Sequence, residues 1–329
     1  IGDRAVSQED IALYQKLQKA GQIPIRIVLT WRVNAALPLE EVVKEIRSAP
    51  FSPGTGDDWV KLGVFKVTLD GGMTIGTAYQ RHPYGPFGRK LYGQVDADDR
   101  GQLFIAPEKL MTIMRAARDQ GWTLTAHSQG GGAIDTFLDT MERLNEERPI
   151  APTRSHLMHA SFQSKEAIAR AKKLGVLADV QPPWLYFDGP ALERVFTYDG
   201  LRYFIPLRSY LDAGVIVAGG SDHMVGYDKN NAVNPYNPFL GMWIAVARKT
   251  IRGNVLHPDE RLTREEALKM YTISAAYLQF AEKSRGSIET AKLADMVVID
   301  RDYLTCDEDR IKDIEPVMTI VGGKIAYRR

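Results

Sequence analysis

Three apolar segments of the chain each end in a residue that can bind a metal ion. They are GWTLTAHSQGG at residues 121–131, SHLMHASF at residues 155–162 and GVIVAGGSDH at residues 214–223. The residues that could bind a metal at the ends of these segments, just before the next loop, are His127, His159 and Asp222. Parallel α/β barrels place catalytic groups at the C-terminal ends of their strands, where the βα loops converge. The pattern therefore predicts an active site built from strand ends.

Segments with strand and helix character alternate along most of the chain. Strands are predicted at residues 23–31, 62–69, 156–160, 176–180 and 215–218, with a further strand ending at His127. Helices are predicted at residues 8–20, 38–49, 133–147, 165–174 and 205–213, with a further helix that starts at Pro107 and ends before Gly121. This alternation is typical of a parallel sheet with right-handed crossovers.

The pattern changes near the C-terminus. Two helical segments at residues 238–250 and 263–280 are followed by strand-like segments at residues 286–302 and 315–329. The pair Gly322 and Gly323 is a hairpin signal within the last segment. We therefore predict a barrel domain over residues 1–285 and a β-sandwich segment over residues 286–329.

Composition excludes several classes of partner. The 42 basic residues balance the 41 acidic ones, which argues against nucleic acid or an anionic membrane as a partner. The sequence has no apolar stretch near the roughly 20 residues of a membrane span and no signal-peptide pattern. Cys306 is the single cysteine, so an intrachain disulfide is impossible. This fits a reducing compartment, and we predict a cytoplasmic enzyme with a small-molecule substrate.

Several segments together resemble the amidohydrolase superfamily, and within it the YtcJ-like branch of metal-dependent hydrolases. The similar segments, in family order, are KLGVFKVTLDGGMTIGTA at residues 61–78, TAHSQGGGAID at 125–135, RSHLMHASF at 154–162, GSDHMVGYD at 220–228, YTISAAY at 271–277 and GSIETAKLADMVVIDRDYLT at 286–305. The family's His-x-His pair occurs nowhere in the sequence. The resemblance implies a TIM-type (β/α)8 barrel represented by about strands three to eight, plus C-terminal strands of a β-sandwich. We expect that an N-terminal segment is missing from this sequence. The other expectation is that a homo-oligomer covers the exposed strand edges.

The resemblance also implies a site and a reaction. His127 and His159 match the histidines that hold one metal, and Asp222 matches the aspartate that binds the other metal and accepts the proton of the water. Lys66 falls where many members carry a metal-bridging carboxylated lysine. The expected cofactor is a divalent metal, with zinc as the first choice. The implied reaction is attack of a metal-activated water on an amide or related C–N bond.

Other polar and aromatic residues are candidates for contacts around this site. We expect Asp70, His82, Trp184 and His223 to contact the substrate. Asp70, Ser221 and Arg154 are candidates for orienting the imidazoles, as metal-bound histidines require. His156 and His257 are expected to be packing or solvent-facing residues.

Two alternatives stay open at the level of sequence. AHSQGG has the form of a nucleophile elbow, which would make Ser128 the nucleophile of a serine α/β-hydrolase, with Asp222 and His257 following in the correct order. The second alternative is a non-catalytic subunit or binding module, which agrees with the possibility that this chain alone is inactive. The barrel-like run of strands and the C-terminal β-segment favour the metal-dependent hydrolase over the serine α/β-hydrolase.

Overall fold

A computed structural model describes residues 2–329 of the chain. The strands in this range are β1 Gly2–Val6, β2 Ile27–Arg32, β3 Val60–Thr68, β4 Thr123–Ser128, β5 His156–His159, β6 Leu177–Val180, β7 Val217–Gly219, β8 Met296–Ile299, β9 Pro316–Val321 and β10 Lys324–Arg328. The α-helices are α1 Gln8–Lys19, α2 Leu39–Arg47, α3 Gly85–Tyr92, α4 Pro107–Asp119, α5 Gly131–Glu147, α6 Lys165–Leu174, α7 Pro183–Gly200, α8 Leu207–Asp212, α9 Pro238–Ala247, α10 Arg264–Tyr271 and α11 Ile273–Leu278. The predicted α/β alternation is confirmed from β2 to β7.

Local hydrogen bonds fix the start of α1. Ser7 accepts a hydrogen bond from the Asp10 amide and Asp10 accepts one from the Ser7 amide, which forms a capping box at the start of α1. The strand predicted at residues 23–31 begins only at Ile27, beyond Pro24. Strand β1 was not predicted, because GDRAV has too few apolar residues to show an alternating pattern.

Two compact units make up the chain. The first contains the chain up to Pro83, Arg100–Ala160 and Ala169–Leu177. Within it β1 to β5 pair in parallel, each with the next strand along the chain. An aromatic cluster fills part of its core, where the Trp31 ring lies 5.6 Å from Phe65 and 5.4 Å from Trp122. Burial of such rings is the main source of stability in a core of this kind.

The second unit contains Tyr84–Asp99, Ser161–Ile168 and Ala178–Arg329. Here β6 pairs in parallel with β7, and β8, β9 and β10 form an antiparallel three-stranded sheet. Val321 pairs with Lys324, so Gly322 and Gly323 form the turn of the predicted hairpin, and both have positive φ. Glycine adopts this backbone conformation without steric penalty.

Helix α7 was not predicted as a helix. Gly189 and Pro190 lie inside it and obscure the helical pattern, and Thr197 breaks the backbone geometry with φ of 64°. The predicted helix at residues 263–280 is interrupted at Thr272, which separates α10 from α11. None of the helices in residues 2–329 is long and apolar enough to cross a membrane.

Candidate active site

A buried carboxylate fixes the orientation of His127 in the first unit. Asp70 follows β3 and is completely buried, and its Oδ1 lies 2.8 Å from Nδ1 of His127 at the end of β4. A carboxylate can only accept, so Nδ1 carries the hydrogen, and in the neutral imidazole Nε2 then has the lone pair. The His127 side chain remains 19% exposed. This is the arrangement by which a carboxylate orients a metal-binding imidazole.

Main-chain amides satisfy the remaining acceptor positions of Asp70. Oδ1 accepts from the Gln129 amide at 3.0 Å, and Oδ2 accepts from the amides of Gly130 at 2.7 Å and Tyr79 at 3.1 Å. Four hydrogen bonds therefore converge on one carboxylate. This geometry supports the orienting role predicted for Asp70 more strongly than direct contact with substrate.

The glycines after His127 allow another segment to approach closely. A Cβ on Gly130 would lie 2.2 Å from the carbonyl oxygen of Tyr79, and the Gly132 amide donates to that oxygen at 2.9 Å. Gly130 has ordinary extended backbone angles, so space and not conformation requires glycine here. The glycine run thus brings the Tyr79 segment against the Asp70 carboxylate.

The second histidine lies beside the first. His159 ends β5 opposite Ser128 of β4, and the rings of His127 and His159 are 4.4 Å apart between centroids with 69° between their planes. His159 has a φ of 73° and Ala160 one of 50°, so the chain turns sharply at the strand end. Non-glycine residues rarely adopt this conformation, which often marks functional positions. The two imidazoles predicted as ligands are therefore brought together.

Two further polar groups lie within the parallel strands of the first unit. Lys66 in β3 is 8% exposed and sits opposite Thr125 of β4. His156 is fully buried, its Nδ1 lies 3.3 Å from the Arg154 carbonyl oxygen, and its Nε2 has no hydrogen-bond partner among the described residues. The pKa of His156 is lowered to about 3, with burial as the main cause and a contribution from the positive charges of Arg4 and Lys66. His156 is therefore a neutral packing residue, as predicted.

In the second unit, Tyr271 packs against the end of β7. A Cβ on Gly219 would lie 2.6 Å from the Tyr271 ring, and one on Gly241 would lie 1.9 Å from its hydroxyl oxygen. Burial raises the pKa of Tyr271, so the phenol stays neutral. The ring thus occupies the space that two glycines leave and supports the strand that leads to Asp222.

Asp222 lies in an irregular segment after β7, residues 221–237, which we call the Asp222 loop. Asp222 is exposed and has a φ of 53°. The side-chain nitrogen of Asn234 donates to the Asp222 carbonyl oxygen at 2.7 Å, and Nδ1 of His223 lies 3.1 Å from the Asn234 carbonyl oxygen. The indole nitrogen of Trp184 donates to the side-chain oxygen of Asn234 at 2.9 Å. Sequence reasoning missed Asn234, which connects three of the predicted site residues.

The predicted site residues thus fall into two sets. Asp70, His127 and His159 are together in the first unit, and Trp184, Asp222 and His223 are together in the second. His82 lies on an exposed turn of the first unit. Among residues 2–329, no group of three or more His, Cys, Asp and Glu side chains is arranged to hold a metal ion. In the first unit the two imidazole rings of His127 and His159 lie side by side.

The serine-hydrolase alternative is not supported. Ser128 is completely buried and its hydroxyl donates to the Ala126 carbonyl oxygen at 3.2 Å, whereas an elbow nucleophile must be exposed. His257 Nε2 lies 2.8 Å from the Tyr198 carbonyl oxygen, and its ring stacks on Tyr198 at 4.2 Å. The Ser128 hydroxyl and the His257 ring each make a structural contact, so neither is available for a catalytic triad.

Comparison with protein families gives a match over nearly all of the sequence. The model of the amidohydrolase family matches residues 1–327. The chain belongs to the amidohydrolase family. The family assignment confirms the resemblance on which the metal-dependent hydrolase prediction was based.

Individual amidohydrolase relatives are similar over a large part of this chain. It is 34% identical over 231 residues to an N-substituted formamide deformylase of Arthrobacter pascens. The aligned region covers 70% of this chain and 41% of that protein. The chain is 27% identical over 319 residues to the putative amidohydrolase YtcJ of Bacillus subtilis strain 168. Here the aligned region covers 96% of this chain and 55% of the relative. This amidohydrolase chain therefore spans about half the length of the curated relatives it matches.

A solved structure supports the fold. An uncharacterized metal-dependent hydrolase from Pyrococcus horikoshii OT3 matches with a TM-score of 0.75 and 21% identity, over 94% of this chain and 57% of the other. Such a likeness is informative about architecture and not about substrate. The α/β strands and the small antiparallel sheet of this amidohydrolase chain fit a TIM-like barrel with a β appendage.

Proposed function

We propose that this chain belongs to a metal-dependent amidohydrolase that hydrolyses an amide or related C–N bond of a small molecule. The observation that carries the proposal is the Asp70–His127–His159 arrangement at adjacent strand ends. The family assignment agrees with it, and the deformylase relative provides a named example of C–N chemistry. Because the chain spans about half of its relatives, the reaction is proposed for the protein that contains it.

The donor set of the first unit fits a divalent cation. His127 offers Nε2 because Asp70 engages Nδ1, and the His159 ring lies next to it. Neutral imidazole nitrogen is a preferred ligand of zinc and similar ions, and zinc is the ion that we propose. When bound at an open site, such an ion lowers the pKa of a coordinated water to about 7.

The residues of the chain have distinct tasks in this proposal. His127 and His159 hold the ion, and Asp70 keeps His127 in the tautomer that leaves Nε2 free. Asp222 is exposed after β7 and is the proposed ligand and general base, which takes a proton from water and returns it to the leaving nitrogen. Lys66, which is largely buried in β3, is proposed as a carboxylated bridging ligand.

We also propose residues that contact the substrate. These are His82, Trp184 and His223, whereas Asp70 acts on the substrate only through His127.

The domain organisation, location and oligomeric state are proposed as follows. Residues 1–285 would form the barrel, with about strands three to eight of eight, and residues 286–329 the sandwich segment. The single cysteine supports a cytoplasmic location. A homo-oligomer would explain how exposed strand edges are covered. Among residues 2–329, nothing favours the non-catalytic alternative.

The first experiment measures bound metal in the natural full-length protein. The protein is exposed to zinc, dialysed exhaustively and assayed by plasma emission, beside the His127→Ala and His159→Ala variants. We expect each variant to lose most of the metal held by the wild type. His82→Ala removes an exposed imidazole and should leave the metal content unchanged.

Hydrolysis is then measured with simple N-substituted formamides and acetamides, with the released amine as readout. We expect turnover that depends on added metal and disappears with Asp222→Asn. Metal content unaffected by either histidine variant would contradict the proposed site. Metal-independent turnover would contradict the proposed reaction class.

A further inference from the structure

Asn234 has a backbone conformation that restricts which residues can stand there. Its φ is 53°, in the left-handed region, where asparagine and glycine are the best tolerated residues. It also precedes Pro235, which normally favours extended backbone in the residue before it. Asn234 is therefore held in place by its contacts against the local preference.

The Trp184 indole determines how the Asn234 amide is oriented. An indole nitrogen can only donate a hydrogen bond, so the Asn234 atom that lies 2.9 Å from it is the oxygen. The amide nitrogen is therefore on the opposite side, where it donates to the Asp222 carbonyl oxygen at 2.7 Å. Trp184 is 6% exposed, so the anchor of this amide is a well-packed side chain.

The main chain of Asn234 makes a second contact with the same segment. Its carbonyl oxygen lies 3.1 Å from Nδ1 of His223, whose ring packs edge-on against Tyr236 at 4.7 Å. Asp222 and His223 are thus both held by one residue. Asp222 is itself exposed and has a left-handed backbone conformation.

We propose that Asn234 is a positioning residue that fixes the Asp222 main chain and thereby the direction of the Asp222 carboxylate. The role rests on the function proposed for Asp222. A general base must be held close to the position of proton transfer, and a misplacement of about 1 Å can cost roughly 100-fold in rate. Asparagine is the residue that combines left-handed backbone, a donor for Asp222 and an acceptor for Trp184.

Two substitutions separate these properties. Asn234→Gly keeps the backbone conformation and removes both side-chain hydrogen bonds. Asn234→Asp keeps the acceptor for Trp184 and removes the donor to Asp222. Asn231→Ala is the matched control, because Asn231 is in the same loop and its amide nitrogen donates to Asp228 at 3.0 Å.

The variants are made in the natural full-length protein and compared by steady-state kinetics. The substrate is the N-substituted formamide that the wild-type protein hydrolyses fastest. We expect Asn234→Gly and Asn234→Asp to lower kcat roughly 10- to 100-fold, with little change in KM. Asn231→Ala should leave both constants near those of wild type. Full kcat in Asn234→Asp would overturn the proposal, because anchoring to Trp184 would then suffice. A rise in KM alone would also overturn it.

Hydrogen exchange of the amides at residues 221–226 provides a readout independent of catalysis. We expect faster exchange in both Asn234 variants and wild-type exchange in Asn231→Ala. Unchanged exchange in Asn234→Gly would overturn the proposal even if activity falls. If wild type hydrolyses none of the compounds, the proposed function fails, and the exchange result alone then decides the role of Asn234.

Discussion

Oδ1 of Asp70 lies 2.8 Å from Nδ1 of His127, and both groups lie at the ends of neighbouring parallel strands. This pair links the hydrogen-bond network of a buried carboxylate to the accessible nitrogen of a proposed ligand. A change at Asp70 therefore affects the site without touching the metal or the substrate.

The Asp70→Asn substitution should weaken metal binding and lower stability. The asparagine side chain has a donor NH2 group in place of one acceptor oxygen, and this group faces main-chain amides that also donate. The buried donors left without a partner cost about 1–3 kcal/mol in the free energy of unfolding. Loss of the carboxylate also loosens His127, and such changes typically reduce metal affinity 10- to 100-fold. Competition with a zinc chelator and urea unfolding measure the two effects.

The control for this change is Asp135→Asn, which alters a partly exposed carboxylate paired with Arg81 at 2.7 Å. Such pairs contribute under about 1 kcal/mol, so the metal affinity of this variant should match wild type. Equal metal affinity in both variants would refute the orienting role of Asp70.

The Gly130→Ala substitution should destabilise the first unit through a collision with main chain. The added Cβ would lie 2.2 Å from the Tyr79 carbonyl oxygen, and that segment would have to move. Overpacking of this kind costs about 1–3 kcal/mol or more. Gly63→Ala is the matched control, since its Cβ meets only the Val28 side chain at 3.7 Å. Thermal unfolding that shifts equally in both variants would show that the Tyr79 contact is unimportant.

His156 should make the protein less stable as the pH falls. Its pKa in the folded state is about 3 against an ordinary value of 6.5, so between these values only the unfolded chain binds the proton. The free energy of unfolding then decreases as pH falls, by up to about 1.4 kcal/mol per pH unit. Urea unfolding at several pH values should give a shallower slope for His156→Leu than for wild type.

The comparison concerns slopes and not absolute stabilities, because removal of a buried ring also changes packing. Parallel slopes in wild type and His156→Leu would mean that the pKa of His156 is the same in the folded and the unfolded chain.

Ser128→Ala should leave hydrolysis within about twofold of wild type. The substitution removes one buried hydroxyl that donates to Ala126, which costs about 1 kcal/mol of stability. Turnover of the same formamides and acetamides tests this directly. Complete loss of activity in a folded Ser128→Ala protein would return the serine mechanism to consideration.

The parts of the fold that could be predicted from sequence are those with strong local signals. The segment before His127 is apolar and ends at a glycine-rich turn, so both β4 and the start of α5 were predicted closely. Strand β1 and helix α7 were missed. Polar residues hide the pattern of the first, and Pro190 hides that of the second.

The sequence predicted that His127 and His159 lie together and offered Asp70 as an orienting residue, but it did not predict the contacts of Asn234. His127 and His159 each end an apolar strand, which is a local pattern. The position of Asn234 beside Asp222 depends on how a 17-residue loop, residues 221–237, folds back, and Pro235 indicates a different backbone conformation. Long-range hydrogen bonds of this type leave no periodic signal in a sequence.

The sharp turn at His159 and Ala160 places an unfavourable backbone conformation at a proposed metal ligand. A left-handed conformation costs about 1–2 kcal/mol at each non-glycine residue, so glycine would relax the backbone at position 159. Glycine would also remove the imidazole that faces His127. The end of β5 is therefore a place where substitutions selected only for thermal tolerance would tend to remove a proposed metal ligand.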